Sequence, residues 1–219
     1  MIKAIKSHKG LAIVAFLAIV VSLFVGLQYA ALGTHGTDFV KGKLEQINLH
    51  QLWHVMLAVH IVAGITAIGT GWLQFVSKFR TRRYRVHKAV GKLYSLAVLV
   101  ASIAGMYLSF YATGGWVSSI GFFLLSLLWV YTLYRGVRAV SKEKDVHSHQ
   151  RWMTRNYALT FAAVTLRLYV PICMAIFGLD AFNDYYRVIA WLCWVPNLMV
   201  AELLLLRRLP PIRHKGMRL

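Results

Sequence analysis

The chain has 219 residues, of which 58% are hydrophobic and only 15% charged, with a mean hydropathy of +0.58. That balance excludes an ordinary soluble domain and points to a polytopic membrane protein. The net charge of +18 raises nucleic acid as a partner, but the basic residues cluster between alternate apolar runs, so the charge is an orientation code and no nucleic acid is expected.

A run of about 20 apolar residues is enough to cross a bilayer as a helix. On that rule the chain is an all-α bundle of six transmembrane helices forming a single domain over 1–219. The spans fall at about 10–32, 51–77, 89–112, 118–140, 152–178 and 186–206. The N-terminus, MIKAIKSHKG, has the basic flank of a signal peptide. The run from Leu11 to about Leu32 is too long for a typical signal core and lacks a clear A-x-A site, so it reads as a retained first span.

Of the 25 Lys and Arg residues, only Lys41, Lys43 and Arg187 fall on one side of these spans, beside Asp38, Glu45, Asp180 and Asp184. Arg167 lies within a span. All the others gather on the opposite side: Lys3 to Lys9 before the first span, Lys78 to Lys92 between the second and third, Arg135 to Arg155 between the fourth and fifth, and Arg207 onward after the sixth. The positive-inside rule then puts both termini in the cytoplasm. Basic residues near the inner face also attract anionic lipids, at about 1 kcal/mol each. The longest outer connection, Gly33 to His50, is a candidate cap for the outer mouth.

In the second span, His60, Gly64, Ala67, Gly71 and Gln74 share a helix face. In the third, His87, Gly91, Val98, Ser102 and Gly105 do the same. Small-residue stripes let helix backbones approach; headed by histidines, they also make slots for a flat ligand. The fifth span is the most informative. Arg167 lies near its middle, where an ionised group costs about 3 kcal/mol on insertion scales and normally faces the bundle interior. His149, Met153, Asn156, Thr160, Ala163 and Arg167 fall on one face, with His149 and Arg167 about 27 Å apart along the axis. Tyr169 joins the polar positions of this span.

By depth, His60 and Arg167 form an outer-half site, and His87 and His149 an inner-face pair. The sixth span adds Asn197 beside Pro196, and Glu202, the one acid within the spans. Glu202 either neutralises Arg167 or pairs with basic residues at the inner surface. Carbonyls freed by Pro171 and Pro196 are candidate acceptors for the guanidinium or a hydroxyl. His50 and His54 share a face and read as an interfacial pair without carboxylate support. Trp53, Trp72, Trp116, Trp152 and Tyr185 read as interface anchors near span ends. Cys173 and Cys193 lie in apolar segments and read as buried small hydrophobes, not a disulfide or metal signature.

RVHKAVGKLY from Arg85 to Tyr94, HQRWM from His149 to Met153, and NYALTFAAVTLRLYVP from Asn156 to Pro171 together resemble a bacterial six-span inner-membrane family known as a domain of unknown function, over roughly residues 55–205. The resemblance implies six spans in a bacterial cytoplasmic membrane and marks His60, His87, His149 and Arg167 as recurring polar positions. A fainter resemblance is to cytochrome b and ferric-reductase-like bundles, whose histidines ligate haem. The fourth span has no histidine, which argues against a two-haem arrangement and leaves one haem between His87 and His149, or one held by His60 as its sole histidine.

Two functions follow as expectations. The first is a haem b-type redox protein passing electrons between a quinone or metal ion and a partner, with His87 and His149 as iron ligands and Arg167 holding a propionate or quinone oxygen. The second is a small proton-coupled transporter using Arg167, His60 and Glu202. A zinc or copper enzyme is less compatible, since three or four ligands must converge on one point and the three span histidines lie at different depths. An assembly or lipid-organising role, with Arg167 as structural glue, is the plain alternative.

Overall fold

A computed structural model describes residues 8–33, 36 and 51–206. Within them the chain is helical, with no strand among the described residues. The helices are α1 His8–Leu32, α2 Gln51–Gly71, α3 Ser77–Thr81, α4 Tyr84–Ser109, α5 Trp116–Ser141, α6 Val146–Thr160, α7 Ala162–Phe177, α8 Phe182–Leu192 and α9 Val195–Leu206. A 3-10 turn, Trp72–Phe75, extends α2. Six stretches are long and apolar enough to cross a membrane: α1, α2 with its extension, α4, α5, α6 with α7, and α8 with α9. All six follow the expected spans, with α4, α6 and α8 starting about a turn or more earlier than the apolar runs alone imply. The Gly33 to His50 cap falls largely outside the described residues, as do His50, Asp38 and Glu45.

Local chemistry sets the joints. Asp145 caps α6, its carboxylate accepting from the Ser148 backbone N–H at 2.9 Å. The turn into α5 needs left-handed backbone, which Gly114 (φ 87°) and Gly115 (φ 75°) supply. The fifth span bends at Phe161, which separates α6 from α7. The sixth breaks at Cys193 and Trp194, and Pro196 follows in the first turn of α9, where its missing N–H costs no helical bond.

The main core joins α2, α4, α5, α6 and α8 through Ala67, Tyr94, Val98, Trp129, Leu159 and Ile189. A second core seats α1 on α2 and α7, with Val21 and Val25 against Leu57, Ile61 and Val164. Large apolar side chains such as Phe16, Leu27, Val62, Ile103 and Ile176 point outward and are exposed. In water that surface would be a severe liability; in a bilayer it is the lipid-facing coat. Trp53 (2% exposed) and Tyr185 (8%) are buried in the cores and are not the interface anchors the sequence implied, whereas Trp116 (75%) is outward-facing. Cys193 is buried and Cys173 partly so, both free thiols, as expected.

Candidate functional site

Because the spans alternate in direction, the basic connections before α4 and before α6 come to the same end of the bundle. His87 stands in the first turn of α4 and His149 in the first turn of α6. The two rings lie within electrostatic reach of each other, with Arg80 beside His87. His149 Nδ1 sits 2.8 Å from the Gly136 carbonyl of α5. A carbonyl only accepts, so Nδ1 carries the proton and Nε2 presents its lone pair. Gly136 makes this approach possible: a Cβ there would come within 2.6 Å of Met153 Sδ. The His87 Nδ1 atom is buried without a hydrogen-bond partner among the described residues. His87 and His149 thus stand at the same end of α4 and α6, two helices that the Tyr94–Asn156 hydrogen bond joins deeper in the bundle.

About two and three turns further along α6, the polar face enters the core. Asn156 is fully buried and its amide donates to the Trp129 carbonyl at 2.8 Å and to Thr132 Oγ1 at 2.9 Å. Its oxygen accepts from the Tyr94 hydroxyl at 2.6 Å. Thr160 Oγ1 accepts from Trp129 Nε1 at 2.9 Å and meets the Tyr94 hydroxyl at 2.7 Å. This knot ties α4, α5 and α6 with each polar atom answered, so Asn156 is a positioning residue. Sequence reasoning missed Tyr94, Trp129 and Thr132 as its partners. A Trp and a Thr in mid-span, one turn apart, were the available signal.

Beyond the bend at Phe161 lies the second polar cluster. His60 Nδ1 is 2.8 Å from the Ala101 carbonyl of α4, so its Nε2 is also the free lone pair. Its ring rests on Gly105, where a Cβ would lie 3.2 Å from Cε1 and 2.9 Å from Ser126 Oγ. Arg167 is half-buried, and among the described residues its one hydrogen bond runs to the Ala163 carbonyl of its own helix at 3.1 Å. Its charge acts on His60, Tyr29 and Tyr186, so groups from α1, α2, α7 and α8 converge there. His60 and Arg167 thus lie within charge range of each other, as do Tyr29 and Tyr186, two tyrosines that the sequence did not single out. The guanidinium uses Ala163 and not a carbonyl freed by Pro171 or Pro196.

Glu202 does not neutralise Arg167. It makes a two-pronged ion pair with Arg155: Nε on one carboxylate oxygen, and Nη2 on the other at 2.8 Å. Arg155 also stacks on Trp152 at 4.7 Å, with Arg135 at the same distance over that ring. That arrangement moves Trp152 from a simple anchor to a guanidinium platform. Asn197 donates to Thr165 Oγ1 at 3.0 Å and to the Cys193 carbonyl at 2.9 Å, pinning the break between α8 and α9 to α7. Tyr169 packs on the main core. His54 is buried edge-on to Trp53 at 5.1 Å, which is a core position and not the interfacial one expected. Among the described residues no three His, Cys, Asp or Glu side chains group as a metal site.

The profile of the family described as "Predicted membrane protein (DUF2306)" matches residues 57–205. No curated protein matches the chain, and no solved structure does.

Proposed function

The chain belongs to this family of predicted membrane proteins of unknown function, and from that premise we propose that it is an integral haem b redox protein. In this reading it passes electrons between a quinone or metal ion and a partner. The observation that carries it is the His87–His149 pair. Two imidazoles from different helices share one end of the bundle, and the hydrogen bond to Gly136 fixes His149 in the tautomer whose Nε2 can ligate. A ligating histidine usually donates its other ring N–H to an outer acceptor, and the Gly136 carbonyl is such an acceptor for His149. His87 brings a ring whose Nδ1 has no competing hydrogen bond among the described residues.

Haem held there by His87 and His149 would supply one-electron chemistry, its potential set by the two imidazoles and by burial. Arg80, beside His87, offers a positive charge for a propionate. The Asn156 knot fixes the azimuth of α6, and so keeps His149 facing α5 and α4. On the positive-inside rule this end faces the cytoplasm of a bacterial inner membrane, next to anionic lipids. The transport reading keeps Arg167 and His60 but loses Glu202, which is engaged by Arg155; proton-coupled flux in proteoliposomes would favour it instead.

The test is an optical spectrum of protein purified after expression with ample haem supply. A Soret band that disappears in both His87→Ala and His149→Ala is the expected result. A colourless, folded preparation contradicts the proposal.

A further inference from the structure

We propose that Arg167 and His60 together bind the hydroxyl-bearing head group of a membrane quinol. The choice of a quinol among hydroxyl ligands rests on the redox reading above; the existence of the site does not. Arg167 has five N–H donors and, among the described residues, spends one on Ala163 with no carboxylate beside it. The nearby acid that the sequence offered, Glu202, is committed to Arg155. A charged group at this depth is retained only where something answers it.

The complementary half of the site is His60. With its Nδ1 proton given to Ala101, its Nε2 is an acceptor that needs a donor. A ligand oxygen that accepts from a guanidinium and donates to an imidazole is a hydroxyl. A carboxylate would satisfy Arg167 but set its lone pairs against that of Nε2. The Tyr29 and Tyr186 hydroxyls, also within reach of Arg167, can donate to or accept from the same group.

Access favours a lipid-soluble ligand. Leu168, next to Arg167, and Leu27, two residues from Tyr29, are exposed apolar groups, so the lipid-facing coat extends to this depth of α7 and α1. Gly64 lies one turn from His60 on the same helix face, and a Cβ built on it meets nothing within 4 Å among the described residues. A flat ring fits beside such a glycine without displacing a neighbour. No electron-transfer step is part of this inference; it concerns binding alone.

The experiment measures binding of a short-chain ubiquinol analogue to the full-length protein in nanodiscs, by quenching of tryptophan fluorescence and by isothermal titration. Saturable binding is expected, weakened at least tenfold by Arg167→Gln and abolished by Gly64→Leu. Gly64→Leu fills open space and should unfold at the wild-type temperature, which separates blocked binding from misfolding. Arg138→Gln, at the basic end, should bind as wild type does. Absence of saturable binding, wild-type affinity in both Arg167→Gln and Gly64→Leu, or displacement of the quinol by decanoate at equal concentration would overturn the proposal. Quinol binding to a haem-free preparation would uphold this site while removing the haem reading. A haem-loaded protein that ignores the quinol would sustain the haem and refute the site.

Discussion

A charged or amide side chain inside a membrane helix must be answered locally, and the three central ones here are answered in different ways. Asn156 is answered completely, by bonds to Tyr94, Trp129 and Thr132. Interhelical bonds in membranes average about 0.6 kcal/mol each, so Asn156→Leu should cost about 2 kcal/mol. Thermal unfolding in detergent, compared at fixed protein concentration, measures it. Arg155 is answered by Glu202 and by the Trp152 face. Arg167 is answered within the described residues only by a helix carbonyl and by dipolar or neutral neighbours. Which residues would be polar and central was legible in the sequence, because an arginine or asparagine amid leucines and valines stands out. Their partners were legible only in part: the sequence left Glu202 open between Arg167 and a basic residue at the inner surface, and did not name Tyr94, Trp129 or Thr132 for Asn156. Depth along a helix follows from residue count, but the rotation that turned Glu202 toward Arg155 depends on the break at Cys193 and Trp194, which hydropathy does not register.

At the scale of elements, small residues do two separate jobs that sequence alone merged into one stripe. Gly71 and Gly136 are packing sites: a Cβ at Gly71 would collide with the Tyr157 ring, and one at Gly136 with Met153. Gly136→Ala should therefore destabilise by about 1–3 kcal/mol. It should also loosen His149 by moving the Gly136 carbonyl, lowering the fraction of protein that retains haem. Gly64 is the contrasting case, facing open space. Gly64→Ala should leave unfolding unchanged or raise stability by up to about 1 kcal/mol, the ordinary helix-propensity gain. Parallel unfolding curves of the two alanine variants separate these outcomes; equal destabilisation would contradict the distinction. The helix positions themselves were readable because a bilayer imposes length and apolarity on each span. The bend at Phe161 was not, since Phe161 and its neighbours are as apolar as the rest of the run and nothing in their pattern breaks the 3.6-residue period.

For the whole molecule, alternating spans sort charge to one end and leave two polar clusters at opposite depths, with the Asn156 knot between them. The one-sided charge predicts orientation: in intact cells, Lys142→Cys should resist a membrane-impermeant thiol reagent and Asp180→Cys should react, in a background where Cys173 and Cys193 are replaced by serine. The reverse pattern would invert the bundle and place the histidine pair on the outer side. The function proposed here has His87 and His149 hold one haem between them. Its most direct measurement is haem per polypeptide by the pyridine haemochrome method on monodisperse protein. One haem shared by the two imidazoles gives a ratio close to one for the wild type and for the exposed neighbour variant His147→Ala, and near zero for His87→Ala and for His149→Ala. A folded wild type with no haem, or haem retained undiminished in both of the latter variants, would contradict it.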